Sequence, residues 1–223
     1  MVPWAQYSAT PPPVIEKLML KNYVNNIYDT NQLLSSLERR SALIHEMELL
    51  EGKTIHCFTC PGTCCTSQAN SMQVTPIEAL EILQSLKVDE WTKEEFISFK
   101  ERMNKNISQY RLNVEIYTGK KNSQALRKNY TCPFFNNGSL GCGLSRSSKP
   151  YGCLGFNPKT SEDNGQSCSS NSDLLKERDD LFLSSEEAAN SQIRKDLKLF
   201  WIKQTIPQAL LDVLAALEKI NLE

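Results

Sequence analysis

Residues 74–83, Val74 to Leu83, read VTPIEALEIL. Thr75 can cap a helix with its hydroxyl, and Pro76 suits the first helical position, where a missing N–H costs nothing. Glu78 stands three residues past the cap and completes a capping box. Ile77, Leu80 and Leu83, joined by Ile82 and Leu86, supply the buried face. A second box, Thr92 with Glu95, opens a longer helix whose stripe runs through Phe96, Phe99, Met103, Ile107, Tyr110 and Val114. An aromatic stripe at this spacing reads as core rather than as a ligand box.

Working outward, helical patterns recur on both sides. Upstream, Val14, Leu18, Val24 and Ile27 fit a helix to about Tyr28. Asn31 then caps a second one, with Leu33, Leu37, Ile44, Met47 and Leu50 near one face and Gly52 as its stop. The two read as an antiparallel pair. Downstream, Ser184 with Glu187 forms a third box before a run through Ile193, Leu197 and Phe200-Trp201. Pro207 starts a last helix with Leu210, Val213, Leu214, Leu217 and Ile220 on one face, packed onto the domain. Residues 1–13 end in Pro11-Pro12-Pro13, an extended segment. The expected fold is mostly α with little β: residues 14–223 as a single helical domain, interrupted by two irregular cysteine-rich loops organised around a metal centre.

The chain has 223 residues, 40% hydrophobic and 23% charged, enough for a real core. Its net charge of −1 argues against nucleic acid or an anionic membrane as an electrostatic partner. A local basic patch, Lys120-Lys121 with Arg127-Lys128, reads as a solvated loop. No apolar run is long enough for a membrane span. The opening MVPWAQYSATPPP has neither the basic nor the apolar part of a secretory signal, so the expected location is cytoplasmic. In a reducing compartment, clustered cysteines bind metal or do redox chemistry more often than they form disulfides.

The chain has eight cysteines, and they fall in two blocks within residues 53–170. The first is CFTCPGTCC, with Cys57, Cys60, Cys64 and Cys65. The second holds Cys132, Cys142, Cys153 and Cys168 at wider spacing, with a hairpin expected in FFNNGSLGCG around Asn137-Gly138. A Cys-x2-Cys loop lets two thiolates converge on one ion, and Pro61-Gly62 bends the chain back toward the same centre. Adjacent side chains diverge, so one of Cys64 and Cys65 would serve a second site or a different iron. His45 falls on a helix surface, while His56 abuts the first block. All-thiolate coordination suits structural zinc or an iron–sulfur cluster, and ligand type does not separate them. Irregular stretches of this length need an organising centre, and metal binding would supply folding energy. A catalytic dithiol would sit in a βαβ unit, a pattern not visible here.

CFTCPGTCC, then VTPIEALEIL, then CPFFNNGSLGCGLSRSSKPYGCLGF, in that order, resemble the cysteine-cluster family described as CxxCxxCC or YkgJ-like, a zinc- or iron-chelating domain. Cys57, Cys60, Cys64, Cys65, Cys132, Cys142 and Cys153 fall on its cysteine positions, over about Cys57 to Phe156. The first loop has three residues before Cys64-Cys65 where the family has two. Lys149 stands for an arginine before Pro150, and Leu154 for an arginine after Cys153. The resemblance implies a metal-binding protein, with an iron–sulfur cluster of the [4Fe–4S] type favoured over zinc and a redox or accessory role. Flagellin lysine N-methylases look like relatives, which implies protein-lysine methyl transfer as the alternative. A zinc-stabilised module that binds a protein partner is the other.

Overall fold

The helix that opens at Thr75 is the centre of the molecule. In the computed structural model, which describes residues 20–51, 62–115, 127–136, 141–158 and 168–220, it spans Pro76–Ser85 as α3. Both halves of its capping box form, and the Thr75 N–H donates to Glu78 Oε2 at 2.9 Å. Ile77, Ala79, Leu80, Ile82 and Leu83 are all completely buried, so α3 is covered on every side. The cover is helical. Helices α1 (Leu20–Thr30) and α6 (Ser172–Asp196) pack on it, as does α7 (Ile206–Ile220), which also packs on α4 (Lys93–Tyr110). A second, smaller apolar cluster, Leu43, Ile44, Met47, Tyr151 and Leu154, joins α2 (Ser36–Glu51) to the one-turn helix α5 (Tyr151–Leu154).

Strands are short and occur as antiparallel pairs among the described residues. β1 (Gln73–Val74) pairs with β6 (Gln204–Thr205), tying the start of α3 to the start of α7. β2 (Phe135–Asn136) pairs with β3 (Gly141–Cys142) as the hairpin pattern predicts. β4 (Phe156–Pro158) pairs with β5 (Cys168–Ser170). The chain is therefore mostly α, as expected.

Two helix starts and one helix pairing differ from expectation. Asn31 does not cap α2; its Nδ2 closes the end of α1 on the Ile27 carbonyl, and Ser35 caps α2 instead, exchanging hydrogen bonds with Glu38. The buried face of α2 is then Arg39, Arg40, Leu43, Ile44 and Met47, while Leu37 is exposed. Ser184 and Glu187 start no helix. They lie inside α6, which is capped by the Asn171 side chain on the Leu174 N–H. α1 packs chiefly on α3 and α6, and α2 on α5 and α6, so the two are not organised as an antiparallel pair. The helix expected before Leu20, the Gly52 stop, His56 and Lys120-Lys121 lie outside the described residues. Arg127 and Lys128 are tied down: Arg127 donates to Ser71 Oγ, and Lys128 Nζ donates to the Leu112 carbonyl at 2.5 Å.

Four residues other than glycine close turns at or near helix ends. Gln32, Lys87, Arg111 and Lys198 all take left-handed backbone, with φ of 49°, 56°, 52° and 52°. A Cβ in that region costs roughly 1–2 kcal/mol, which glycine avoids at the expense of a more flexible unfolded chain. Arg111 is exposed and closes α4 through its backbone, with Leu112 N–H on the Ile107 carbonyl at 3.0 Å. Arg111→Gly is therefore expected to stabilise the fold by about 0.5–1 kcal/mol, read as a higher urea midpoint with an unchanged slope.

Candidate metal centre

The two cysteine blocks meet. Thr63–Cys65 form a 3-10 turn, with Cys65 N–H on the Gly62 carbonyl at 2.7 Å. The second block runs alongside. Cys132 N–H donates to the Cys65 carbonyl at 2.7 Å, and Tyr130 N–H to the Asn70 carbonyl at 2.9 Å. Tyr130 pins the pair to the core: its hydroxyl donates to the Met72 carbonyl and accepts from the Ile206 N–H. Cys142 arrives on β3 and Cys153 on α5.

Together Cys64, Cys65, Cys132, Cys142 and Cys153 line one cavity of about 170 Å³. Leu144, Pro150, Phe156 and Ile206 give it apolar walls, and the buried Lys149 supplies a cation. Gly62 closes one side at φ +73°, and a Cβ there would run into the Phe135 ring. Glycine is thus required twice over at the turn that Pro61-Gly62 announces. Cys168 lies on β5, whose Ser170 rather than Cys168 reaches the cavity wall. Cys57 and Cys60 are outside the described residues.

Cys64, Cys65, Cys132, Cys142 and Cys153 are free thiols. Cys64 and Cys65 place their sulfurs 4.0 Å apart. The Cys65 thiol hydrogen-bonds the Cys64 sulfur, which brings Cys64 down to about 7 and pushes Cys65 up. Burial drives Cys132 up to about 12, against a hydrogen bond from the Phe134 N–H. Burial raises Cys153 as well, and the neighbouring Cys132 and Cys142 add to it. Lys149 opposes this at Cys64, Cys132 and Cys153. Cys65, Cys132 and Cys153 are thus held toward the protonated thiol, whereas Cys64 leans toward thiolate, and metal binding at the raised thiols releases protons.

Behind Cys153 stands a buried ionic cluster. Arg39 contacts Glu81 and Glu186, Arg40 Nη2 lies 2.7 Å from Glu81 Oε2, and Arg178 pairs with Glu186. The cluster grips α5. Arg40 Nε donates to the Lys149 carbonyl at 2.8 Å, Tyr151 N–H donates to Glu78 Oε1 at 3.0 Å, and Tyr151 Oη donates to Glu186 Oε1 at 2.5 Å. The Arg178 guanidinium stacks 3.4 Å from the Tyr151 ring centroid. This support is absent from the expectations above. Its signal was in the sequence: Glu78 and Glu81 interrupt an otherwise apolar helix, which demands buried cations from elsewhere.

The donor set is chemically that of a soft-metal site, with sulfur ligands, the cationic Lys149 and Arg127 nearby, and apolar walls. Among the described residues, no three Cys, His, Asp or Glu side chains gather closely enough to hold a single ion. Compared with known proteins, the chain matches no family model, no curated protein and no solved structure.

Proposed function

We propose that the chain is a cysteine-cluster metalloprotein that holds an iron–sulfur cluster through thiolates lining the cavity between its two cysteine-rich blocks. The observation that carries this reading is the convergence of five thiols, from four separated stretches of chain, on one apolar cavity. Core thiols without a role have no reason to share a wall with a buried lysine. The spread of the thiols favours a polynuclear cluster over zinc. Four thiolates on one zinc ion each sit about 2.3 Å from the metal and so close on a point, whereas these stand apart around a cavity of about 170 Å³.

Cys64, Cys65, Cys132, Cys142 and Cys153 are the candidate ligands in the described residues, and Cys57 and Cys60 are the candidates beside them. An iron–sulfur cluster would supply one-electron chemistry. Lys149 would offset part of its negative charge, and the apolar walls would limit access of water, both of which shift a cluster's potential. Anaerobically purified protein is expected to be brown and to contain iron and acid-labile sulfide. Colourless protein with stoichiometric zinc would overturn the iron–sulfur reading. Protein that stays metal-free when reduced and metal-replete would overturn metal binding altogether.

A further inference from the structure

The turn between α6 and α7 holds large apolar side chains out in solvent. Phe200 is 100% exposed and Ile202 is 64% exposed. Between and before them, Leu197 is buried, and Leu199 and Trp201 pack partly against the main core. Beyond the turn at 197–198, the side chains of 199 and 201 face in, while those of 200 and 202 face out. The turn is tied down at both ends. At the start, Lys198 N–H bonds the Lys195 carbonyl and Leu199 N–H bonds the Arg194 carbonyl at 2.9 Å, a Schellman closure. Lys198 sits in left-handed backbone at φ 52° to make it. At the end, Gln204–Thr205 pairs with Gln73–Val74.

Lysines outnumber carboxylates around this projection. Lys195, Lys198 and Lys203 are exposed, and among the described residues none is in an ion pair. Of the two neighbouring carboxylates, Asp196 is exposed and accepts from Tyr23 Oη at 3.5 Å, and burial raises the Asp212 carboxyl above its usual range. Arg194 is taken up by Glu187. The net charge of −1 for the whole chain conceals this local excess, which is what an approaching surface meets within a Debye length.

We propose that the α6–α7 turn is a peripheral contact with an anionic lipid bilayer. Phe200 and Ile202 enter the headgroup and acyl boundary, and Lys195, Lys198 and Lys203 meet the anionic headgroups. A convex, pre-ordered apolar tip ringed by lysines suits a bilayer, which deforms around it. A protein partner would have to bring a matching groove. The test is co-sedimentation of the full chain with vesicles of phosphatidylcholine alone and of phosphatidylcholine with phosphatidylserine. Binding is expected only with phosphatidylserine and is expected to fall as salt rises. Phe200→Ser should lower partitioning at least about tenfold, and Lys195→Glu with Lys203→Glu by a similar factor. All three positions are exposed, so circular dichroism and the thermal midpoint should stay unchanged. Absence of binding to the anionic vesicles, or equal binding by Phe200→Ser, would overturn the proposal. So would self-association in light scattering that Phe200→Ser abolishes, without vesicle binding, because it would give the surface to a second copy of the chain.

Discussion

Replacing Glu81 by glutamine is expected to destabilise the protein by about 3–5 kcal/mol. Glu81 lies in the middle of α3 and is buried. It faces Arg39 on one oxygen and Arg40 on the other, and also accepts from Tyr28 Oη at 2.7 Å. Glutamine keeps the volume and removes the charge, leaving Arg39 and Arg40 buried with only Glu186 and Glu78 near them. Arginine cannot shed its proton to escape, so the penalty falls on folding. Against a typical total of about 5–15 kcal/mol, this is a large fraction. Replacing Arg39, Arg40 and Glu81 together by apolar residues of similar size should cost less than the single change. The pH dependence has a definite sign. Burial alone would raise the Glu81 carboxyl, but Arg40 and Arg39 overcome it and hold the group below the usual carboxylate range. A depressed folded value gives stability that is fully present above the unfolded value, about 4.3, and lost as pH falls through the folded one. The gap between the parent and Glu81→Gln should therefore be constant at neutral pH and close only in acid. Equal urea midpoints for the two proteins at pH 7 would refute it.

Local signals were legible in the sequence to the extent that nothing distant competed with them. The Thr75 and Thr92 boxes each combine a cap, a following carboxylate and an apolar face, and both helices begin where these predict. The Ser184 and Glu187 pair has the same letters but lacks a break before it. Leu181, Phe182 and Leu183 continue the helix, and Ser185 Oγ turns back to the Phe182 carbonyl at 3.0 Å. Nothing in the spacing alone says which of two such pairs is a start. α2 shows the converse failure. Its inward face is half guanidinium, so an apolar stripe drawn through Leu37 points the wrong way, and Leu37 is exposed. Buried arginines are legible only together with the Glu78 and Glu81 that receive them, about forty residues on, as a matter of charge balance rather than periodicity. In the candidate site, the order of the thiols was readable. That Cys132 rests on the Cys65 backbone, and that Cys168 stands off the cavity wall, depends on how Tyr130 and β4–β5 dock, which is tertiary information.

Cys132→Ser and Cys153→Ser are each expected to abolish cluster loading, while Cys168→Ser leaves it intact. The first two thiols line the cavity, and the third does not. A serine oxygen is a poor donor for a soft centre. The neighbours make the loss worse, since Cys65, held up by its hydrogen bond to Cys64 and by burial, must still give up its proton. Lys149→Met gives an intermediate result. Loss of an outer-shell partner costs about 10–100-fold in metal affinity, so the variant should load at high metal and lose its metal first to a chelator. Because binding energy in such sites is also folding energy, the loaded parent should melt above its apo form, with the difference gone in Cys132→Ser and Cys153→Ser. Iron and sulfide per chain, with thermal midpoints before and after chelation, measure both effects together. Full loading of Cys153→Ser would place the centre away from α5. Loss of loading only in Cys168→Ser would move it to the β4–β5 pair and leave the five-thiol cavity without a ligand role.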